Sequence, residues 1–333
     1  MSYSDDPLRI TDKQKLFEIL ARKRQGQARI LNEEEMKDAL KRRVRGQDHI
    51  VDHVANLIRL QWGKERRGKP IASLLFVGPP ASGKTELAKA LAEYLFGDEK
   101  NLLRFDCSEL KGQEGITRLI GAAPVYQNAD KGGQLTRPML TNPKRLVLFD
   151  EIEKAYAGMF DLFLSIMGEG RLTEQVSNRV ADFTQAVVVL TSNDQHEAIA
   201  SITKEISDPS ELSKAVRSVL RESNTFRPEI ISRFDQIYVF RPLSGDVIAE
   251  VSALKIAAAA KEYGVEIGFI EPELVAQIME QAEAAGDTRE LIRIVDATLG
   301  DLLLRAREQG ARKVRITLDD QGKPSLDSTR TTD

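Results

Sequence analysis

Eight consecutive residues with two glycines and a lysine have the composition of a phosphate-binding loop. They are Gly78, Pro79, Pro80, Ala81, Ser82, Gly83, Lys84 and Thr85. Glycines let backbone N–H groups close around phosphate oxygens, and a helix that begins near Lys84 would point the positive end of its dipole at the same anion. The lysine can reach the outer phosphates, and the threonine hydroxyl can bind magnesium. The loop therefore predicts a site for a nucleoside triphosphate with Mg²⁺.

Two adjacent acids follow the apolar run at 146–149. An acidic pair is weak evidence by itself, because polar residues commonly mark the end of a strand. Beside a phosphate-binding loop it indicates hydrolysis: Asp150 would hold magnesium, and Glu151 would polarise the attacking water. The pair favours a motor-type ATPase over a signalling GTPase, which usually lacks the second acid. We expect ATP and Mg²⁺ as cofactors, with Thr85 and Asp150 as metal ligands.

The elements that must position these residues follow from the alternation of short apolar runs with helical patterns. Strands that are apolar throughout and separated by helices form a parallel sheet covered on both faces. We therefore predict an α/β domain built on a parallel sheet sandwiched by helices. The runs expected to be strands are 74–77, 102–105, 146–149, 187–190 and 237–240.

Patterning and charge divide the chain into four segments. After residue 242 helical patterns dominate, until an apolar run at 313–318 predicts a terminal strand. We thus expect a small, mostly helical domain behind the sheet. The four segments are a charged helical extension (1–40), the large α/β domain (41–242), the small helical domain (243–319) and a polar tail (320–333).

Composition excludes some classes of function. Lysines and arginines number 48 against 51 aspartates and glutamates, so there is no global basic excess to suggest nucleic acid. The single cysteine, Cys107, cannot form an intrachain disulfide, which fits a reducing compartment. No apolar run approaches the ~20 residues that span a bilayer. These features predict a cytoplasmic protein without a membrane segment.

Six short motifs, in order from about residue 44 to residue 318, resemble the AAA+ family and specifically the Clp unfoldases. The resemblance is to the second ATPase module of the Clp disaggregases, and the single phosphate-binding loop implies a single ring. The resemblance also implies a homo-hexamer that hydrolyses ATP and acts on polypeptide. The motifs are the adenine-contacting segment 44–47, the magnesium-site segment 146–155, the stretch 170–173 with 182–183, sensor 1 at 191–193, the arginine-finger segment 226–235 and sensor 2 at 286–291.

The resemblance implies further residues of the nucleotide site. Val44 and Arg45 would contact the adenine. Asn193 would lie at the end of a strand beside the acid pair, where it can hydrogen-bond the γ-phosphate or the attacking water. The alternative for Asn193 is an asparagine in a surface turn.

Two arginines would complete the site according to the same resemblance. Arg233 would lie at a subunit edge and stabilise charge on the neighbour's γ-phosphate. Its alternative is an intrachain salt bridge, and Arg227 is a weaker second candidate for the contact in trans. Arg289, in the small domain, would touch the phosphates in cis and couple domain rotation to the nucleotide state, unless it only pairs with Glu290 on the surface.

The segment that would face the ring's channel departs from the family pattern. Clp unfoldases grip polypeptide with a Gly-Tyr-Val-Gly loop, and the corresponding stretch here is 125–128, Val-Tyr-Gln-Asn. Tyr126 keeps its register, but the glycines and the following apolar residue are absent. An aromatic ring can still press on a threaded backbone. We expect Tyr126 to grip substrate, with a specialised substrate or a packing tyrosine as alternatives.

The loop by which unfoldases dock on the Clp peptidase is also missing. No Ile-Gly-Phe-like tripeptide lies between Asn193 and Phe226. The letters at 267–269 match that tripeptide, but they fall inside the small domain, where we expect core. The sequence therefore predicts no docking on a Clp peptidase.

Two other functions stay open. A nucleic-acid-associated motor or loader is suggested by the basic runs 41–43 and 64–69, although the first run is more simply a solvated helix end. The acidic balance of the chain makes nucleic acid unlikely as a partner. A nucleotide-dependent assembly scaffold with slow turnover is the other alternative, which intact Glu151, Asn193 and Arg233 disfavour.

Two histidines four residues apart, His49 and His53, would share one face of a helix. Such a pair can bind a metal. No third ligand is evident near them, so we expect them to be structural.

Overall fold

The computed structural model describes residues 30–65, 67–122, 132–206, 208–223, 225–243, 245–284 and 290–326. Several sequence predictions lie wholly or partly outside these residues: the N-terminal extension, the stretch 125–128 with Tyr126, sensor 2 with Arg289, and the end of the polar tail. Their roles stay predictions. Within the described residues no helix is long and apolar enough to cross a membrane.

The described part of the large domain has seven strands and nine α-helices. The strands are β1 (Ala72–Val77), β2 (Leu102–Asp106), β3 (Leu146–Asp150), β4 (Arg171–Thr173), β5 (Val180–Asp182), β6 (Val187–Ser192) and β7 (Gln236–Val239). The helices are α1 (Glu33–Arg43), α2 (Asp48–Trp62), α3 (Lys84–Phe96), α4 (Glu114–Ile120), α5 (Thr136–Thr141), α6 (Met159–Glu169), α7 (His196–Glu205), α8 (Pro209–Glu222) and α9 (Pro228–Arg233).

Five of these strands form one parallel sheet in the order β2-β3-β6-β1-β7, while β4 and β5 form a separate antiparallel hairpin. The sheet is buried on both faces because successive residues of a strand enter opposite cores. In β1, Leu75 and Val77 pack into the core that contains α6, α8 and α9, whereas Leu74 and Phe76 pack into the core that contains α1, α2 and α3. This confirms the predicted parallel sheet sandwiched by helices.

The helix α1 belongs to the large domain. Asn32 caps this helix, since its Oδ1 accepts hydrogen bonds from the N–H groups of Glu34 (3.0 Å) and Glu35 (3.3 Å). Met36 and Leu40 are fully buried in the core shared with α2 and α3. The large domain therefore includes α1, rather than beginning at residue 41.

The small domain combines three helices with a three-stranded sheet. Its elements are α10 (Gly245–Glu262), β8 (Glu266–Ile270), α11 (Pro272–Ala284), α12 (Glu290–Glu308), β9 (Lys313–Leu318) and β10 (Pro324–Leu326). The helical patterns and the terminal strand β9 match the prediction, but β8 and β10 were not foreseen. Strand β10 pairs with β9 and lies in the segment predicted to be a polar tail.

The tripeptide at 267–269 lies in β8. Ile267 packs against the small-domain core as expected, but the side chain of Phe269 is 37% exposed. The guanidinium carbon of Arg315 lies 4.4 Å from the centre of the Phe269 ring. The prediction of core was therefore wrong for Phe269, because a bulge between Ile267 and Phe269 breaks the alternation of the strand.

The turn after β1 needs a glycine at its first position. Gly78 has φ +145°, and a Cβ there would lie 2.5 Å from the carbonyl oxygen of Phe240. Positive φ disfavours any other residue, and the clash adds to that strain. The phosphate-binding loop can therefore leave the sheet beside β7 only with glycine at residue 78.

We expect Gly78→Ala to reduce the free energy of unfolding by about 3 kcal/mol, because backbone strain and overpacking act together. Gly97→Ala is the matched control: Gly97 also has positive φ (+80°), but nothing lies within 4 Å of its added Cβ. The control should lose only about 1 kcal/mol. Urea unfolding of the two variants measures the difference, and equal losses would show that the contact with Phe240 does not matter.

Candidate functional site

A cavity of about 1320 Å³ lies between the large and small domains. The phosphate-binding loop from Pro80 to Thr85, the carboxyl ends of β3 and β6, and one face of α10 form its walls. In open parallel sheets ligands bind at the carboxyl ends of the strands. The cavity thus has the position and the walls of a ligand site, and it contains most of the residues predicted to bind nucleotide.

Lys84 is the buried cation of the cavity. Its side chain donates hydrogen bonds to the carbonyl oxygens of Gly78 (2.8 Å) and Pro79 (2.6 Å). Burial lowers the pKa of Lys84 to about 8, while the charges of Asp150, Glu153 and Glu151 oppose that change. An anion in the loop would stabilise the charged form of this lysine. The structure therefore places Lys84 where the phosphate prediction requires a cation.

Three side chains hydrogen-bond to the carboxylate of Asp150 at the end of β3. The hydroxyl of Thr85 lies 3.2 Å from each of its carboxylate oxygens, and the hydroxyl of Thr191 donates to its Oδ1. Hydroxyl and carboxylate oxygens are ligands that Mg²⁺ prefers. The side chains of Thr85 and Asp150 therefore fit the magnesium site predicted for them.

The third partner of Asp150 was not foreseen. Arg104, on the neighbouring strand β2, donates two hydrogen bonds to Asp150 Oδ2, from Nη2 (2.7 Å) and Nε (3.1 Å). Two N–H groups of one guanidinium therefore converge on a single charged oxygen, and charge-assisted hydrogen bonds of this kind are stronger than neutral ones. The available signal was an arginine inside the apolar run 102–105, but its partner depended on which strand lies beside β2.

Glu151 and Asn193 meet at the end of the sheet, as predicted. Asn193 Nδ2 lies 3.4 Å from Glu151 Oε1, and the backbone N–H of Glu151 donates to the Thr191 hydroxyl (3.0 Å). Glu151 has φ +55°, a conformation that costs a non-glycine residue about 1–3 kcal/mol. Such strain is typical of functional positions, and here it accompanies a carboxylate that lines the cavity.

Glu153 is a site residue that the sequence analysis missed. Its Oε1 accepts a hydrogen bond from the backbone N–H of Asn193 (3.1 Å). Its Oε2 and the Oδ1 of Asn193 are buried, and neither has a hydrogen-bond partner in the described part of the chain. Buried oxygen atoms of this kind call for a donor. Glu153 therefore holds the backbone of Asn193, whose side-chain oxygen is left available to a ligand or water.

The segment predicted to contact adenine forms part of the cavity wall. Val44 is buried and lines the cavity, as does Arg45. Arg45 Nε lies 3.6 Å from Glu250 Oε2 on α10, so this ion pair joins the two domains. Contact of either residue with a base stays a prediction.

Gln47 adds a connection that the sequence did not reveal. Its side chain is fully buried, and its Nε2 donates to the carbonyl oxygens of Ser82 (3.2 Å) and Arg241 (2.8 Å). Its Oε1 accepts from the backbone N–H of Arg241 (3.3 Å). One amide therefore links the phosphate-binding loop to the segment that leads into the small domain.

The structure separates Arg233 from the cavity of its own chain. Arg233 is exposed at the end of α9 and is not among the described residues that line the cavity. No ion pair joins it to another described residue, so the intrachain salt bridge considered for it is not found there. Arg227, in contrast, pairs with Asp161 through Nη1 and Oδ1 at 2.7 Å. Arg233 is therefore the better of the two candidates for a contact outside the chain.

The two histidines of α2 behave as predicted for structural residues. His53 Nδ1 lies 2.9 Å from the Tyr238 hydroxyl, and burial lowers the pKa of His49. Among the residues that the structure describes, no group of three or more histidine, cysteine, aspartate or glutamate side chains could hold a metal ion.

Comparisons with known proteins agree with this geometry. Residues 69–237, half of the chain, match the family described as AAA domain (Cdc48 subfamily). The chaperone protein ClpB of Aquifex aeolicus is 38% identical over 308 residues, which cover 87% of this chain and 30% of that protein. The chaperone protein ClpB of Enterococcus faecalis is 36% identical over 86% of this chain and 34% of its own length.

A third relative is the heat shock protein 100 of Trypanosoma brucei brucei, 44% identical over 61% of this chain and 23% of its own length. The chain thus spans about a third or less of the curated relatives described here. The match covers both the phosphate-binding loop and the acid pair. The chain belongs to the AAA domain family of the Cdc48 subfamily, as an AAA+ module similar to those of the Clp chaperones.

Proposed function

We propose that the chain hydrolyses ATP with magnesium and uses the energy to remodel polypeptide. The observation that carries the proposal is the convergence of five side chains on one cavity: Lys84, Thr85, Asp150, Glu151 and Asn193. These residues come from three separate parts of the sequence. A binding site without hydrolysis would not need Glu151 and Asn193 beside the phosphate-binding loop.

Each of these residues has a part in the reaction that we propose. The loop N–H groups and Lys84 would hold the phosphates, and Thr85 and Asp150 would hold Mg²⁺, which neutralises charge on the phosphates when it is bound. Glu151 would accept a proton from the attacking water as it reaches the γ-phosphorus. Asn193 would orient that water or the γ-phosphate. Its backbone is held for this purpose by Glu153.

The site would be completed by other parts of the assembly. Because Arg233 lies outside its own cavity, we propose that it reaches the nucleotide of a neighbouring subunit. A contact of this kind repeats around a closed ring, and we propose a homo-hexamer. Arg289 would act in cis from the small domain. A single cysteine, which is buried, suits a reducing, cytoplasmic setting.

The substrate class follows from the relatives and from Tyr126. The relatives are called chaperone proteins and a heat shock protein, which points to polypeptide. Tyr126 would face the channel of the ring and press on the threaded backbone. This assignment rests on the family register of Tyr126.

We expect Tyr126→Ala to lose unfolding of a tagged substrate protein by about tenfold or more, while ATP turnover changes little, because gripping and hydrolysis use different residues. Fluorescence of the tagged substrate and phosphate release measure the two activities. Tyr156→Ala, at an exposed tyrosine away from the cavity, is the control and should retain both. Normal unfolding by the Tyr126→Ala variant would contradict threading through this tyrosine.

The ion pairs of the basic runs weigh against a nucleic-acid motor. Lys41 pairs with Asp52 on α2, and Arg43 pairs with Glu86, Glu93 and Glu99. Lys41 and Arg43 are therefore paired within the chain at the end of α1, where Arg42 is exposed as expected for a solvated helix end. Arg67 and Lys69 of the second run are likewise engaged, with the Trp62 carbonyl and Asp235 respectively. An assembly scaffold would require ATP binding with turnover near zero.

A further inference from the structure

The backbone that carries Arg233 is held by a second arginine. Arg217, on α8, donates a hydrogen bond from Nη1 to the carbonyl oxygen of Ile231 (2.6 Å) and another from Nη2 to that of Phe234 (3.2 Å). These two carbonyls lie on either side of Arg233, at the last turn of α9. The guanidinium of Arg217 thus spans the end of the helix from which Arg233 projects.

The contacts of Arg217 indicate that it holds backbone rather than balancing a negative side chain. Burial lowers the pKa of its guanidinium, and the charge of Arg221 acts in the same direction. No carboxylate in the described part of the chain pairs with it, so its partners are backbone oxygens. The last carbonyls of a helix have no intrahelical partner and carry partial negative charge. Arg217 therefore satisfies a helix end that would otherwise lack donors.

The helix α9 needs such support because it is short. It has only six residues, of which Ile230 and Ile231 are fully buried. A helix of this length has little stability without tertiary contacts. Beyond it, the carboxylate of Asp235 accepts a hydrogen bond from the N–H of Ser73 (2.8 Å), which fixes the chain to β1. Arg233 is thus an exposed side chain on a backbone that is anchored on both sides.

We propose that Arg217 is a positioning residue for Arg233: it sets the direction in which Arg233 leaves α9 and so its reach to the nucleotide of the neighbouring subunit. The inference rests on the proposed function, since it requires Arg233 to act in trans. Arg217 itself is not among the described residues that line the cavity. Its effect is on the placement of a charge, and catalysis is sensitive to displacements of about 1 Å.

The test compares Arg217→Met with Arg221→Met in the intact chain. Arg217→Met keeps the aliphatic packing but loses both carbonyl contacts, so we expect kcat for ATP hydrolysis to fall about tenfold. KM for ATP should stay unchanged, because Arg217 does not line the cavity in the described structure. Arg221→Met removes an exposed cation from the same helix and should change neither value. Arg217→Lys, which can reach one carbonyl, should recover part of kcat.

A double variant separates positioning from general damage and from failure of the proposed function. If Arg217 acts through Arg233, Arg217→Met should lower kcat no further in an Arg233→Ala background. A multiplied loss, or a raised KM in the single variant, would overturn the inference. If Arg233→Ala is impaired but Arg217→Met is not, only the positioning role fails. If Arg233→Ala itself turns over normally, the proposed contact in trans fails, and this inference fails with it.

Discussion

A Glu151→Gln variant is expected to bind ATP normally but to hydrolyse it at least about 100-fold more slowly, since a general base contributes 10²–10⁴-fold. Glutamine keeps the size of the side chain and can still hydrogen-bond Asn193, but it cannot take a proton from water. The phosphate-binding loop, Lys84 and Asp150 are untouched. Phosphate release measures turnover, and calorimetric titration with ATP measures binding.

The control for this variant is Glu169→Gln. Glu169 is an exposed carboxylate at the end of α6 that pairs with Arg171, outside the cavity. It should retain full turnover, so that a loss is specific to Glu151. Normal hydrolysis by Glu151→Gln would show that another group is the base, and Glu153, two residues further along the chain, would be the first to examine.

The Glu151→Gln variant can also be used to identify the substrate. If hydrolysis drives release, Glu151→Gln should hold both ATP and substrate. Proteins that stay bound to the variant, and not to wild type or to Lys84→Ala, can then be identified by mass spectrometry. The absence of any polypeptide in such an ATP-dependent pull-down would contradict a remodelling function, even if the ATPase activity is present.

An Arg233→Ala variant is expected to assemble and to bind ATP, but to hydrolyse it 10²–10³-fold more slowly, since loss of one donor to a developing negative charge costs about 3 kcal/mol. Its own cavity keeps every described residue of the site, so ATP affinity should not change. Arg227→Ala is the control, because Arg227 is already paired with Asp161. Size-exclusion chromatography with ATP reports assembly, and phosphate release reports turnover.

Mixing two inactive variants tests whether Arg233 acts in trans. Arg233→Ala subunits keep Glu151, and Glu151→Gln subunits keep Arg233. In a mixed ring some sites would combine the intact Glu151 of one subunit with the intact Arg233 of its neighbour, about a quarter of them in an equal random mixture. We therefore expect turnover to return on mixing. Failure to recover in rings shown to be mixed would place Arg233 in cis, or outside the reaction.

The local features of the site were determined by contiguous sequence. The phosphate-binding loop works through neighbouring residues, because its glycines, lysine and threonine take their places from one turn and one helix start. The strands of the large sheet were also recognisable, since most of their residues are apolar and buried on both faces, although Arg104 interrupts β2. The family resemblance predicted that Asn193 lies beside Glu151, and in the structure the two meet because β3 pairs with β6.

The tertiary structure decided the contacts that join distant segments. Arg104 reaches Asp150 because β2 lies beside β3, and Gln47 reaches Arg241, which is 194 residues away in the sequence. Strand order and domain packing depend on the free energy of the whole fold, so no local pattern predicts them. The strand β8 was missed for a related reason, since its bulge removes the alternation that marks a half-buried strand.

The surroundings of Arg233 likewise depend partly on local sequence and partly on the tertiary structure. Its segment, 226–235, marked it as a candidate for the phosphoryl site, with an intrachain salt bridge as the alternative. Only the folded chain leaves Arg233 exposed, pairs Arg227 with Asp161, and brings Arg217 onto the carbonyls of Ile231 and Phe234. The residue type determines which charge a side chain carries. The direction in which the side chain points depends on packing between helices far apart in sequence.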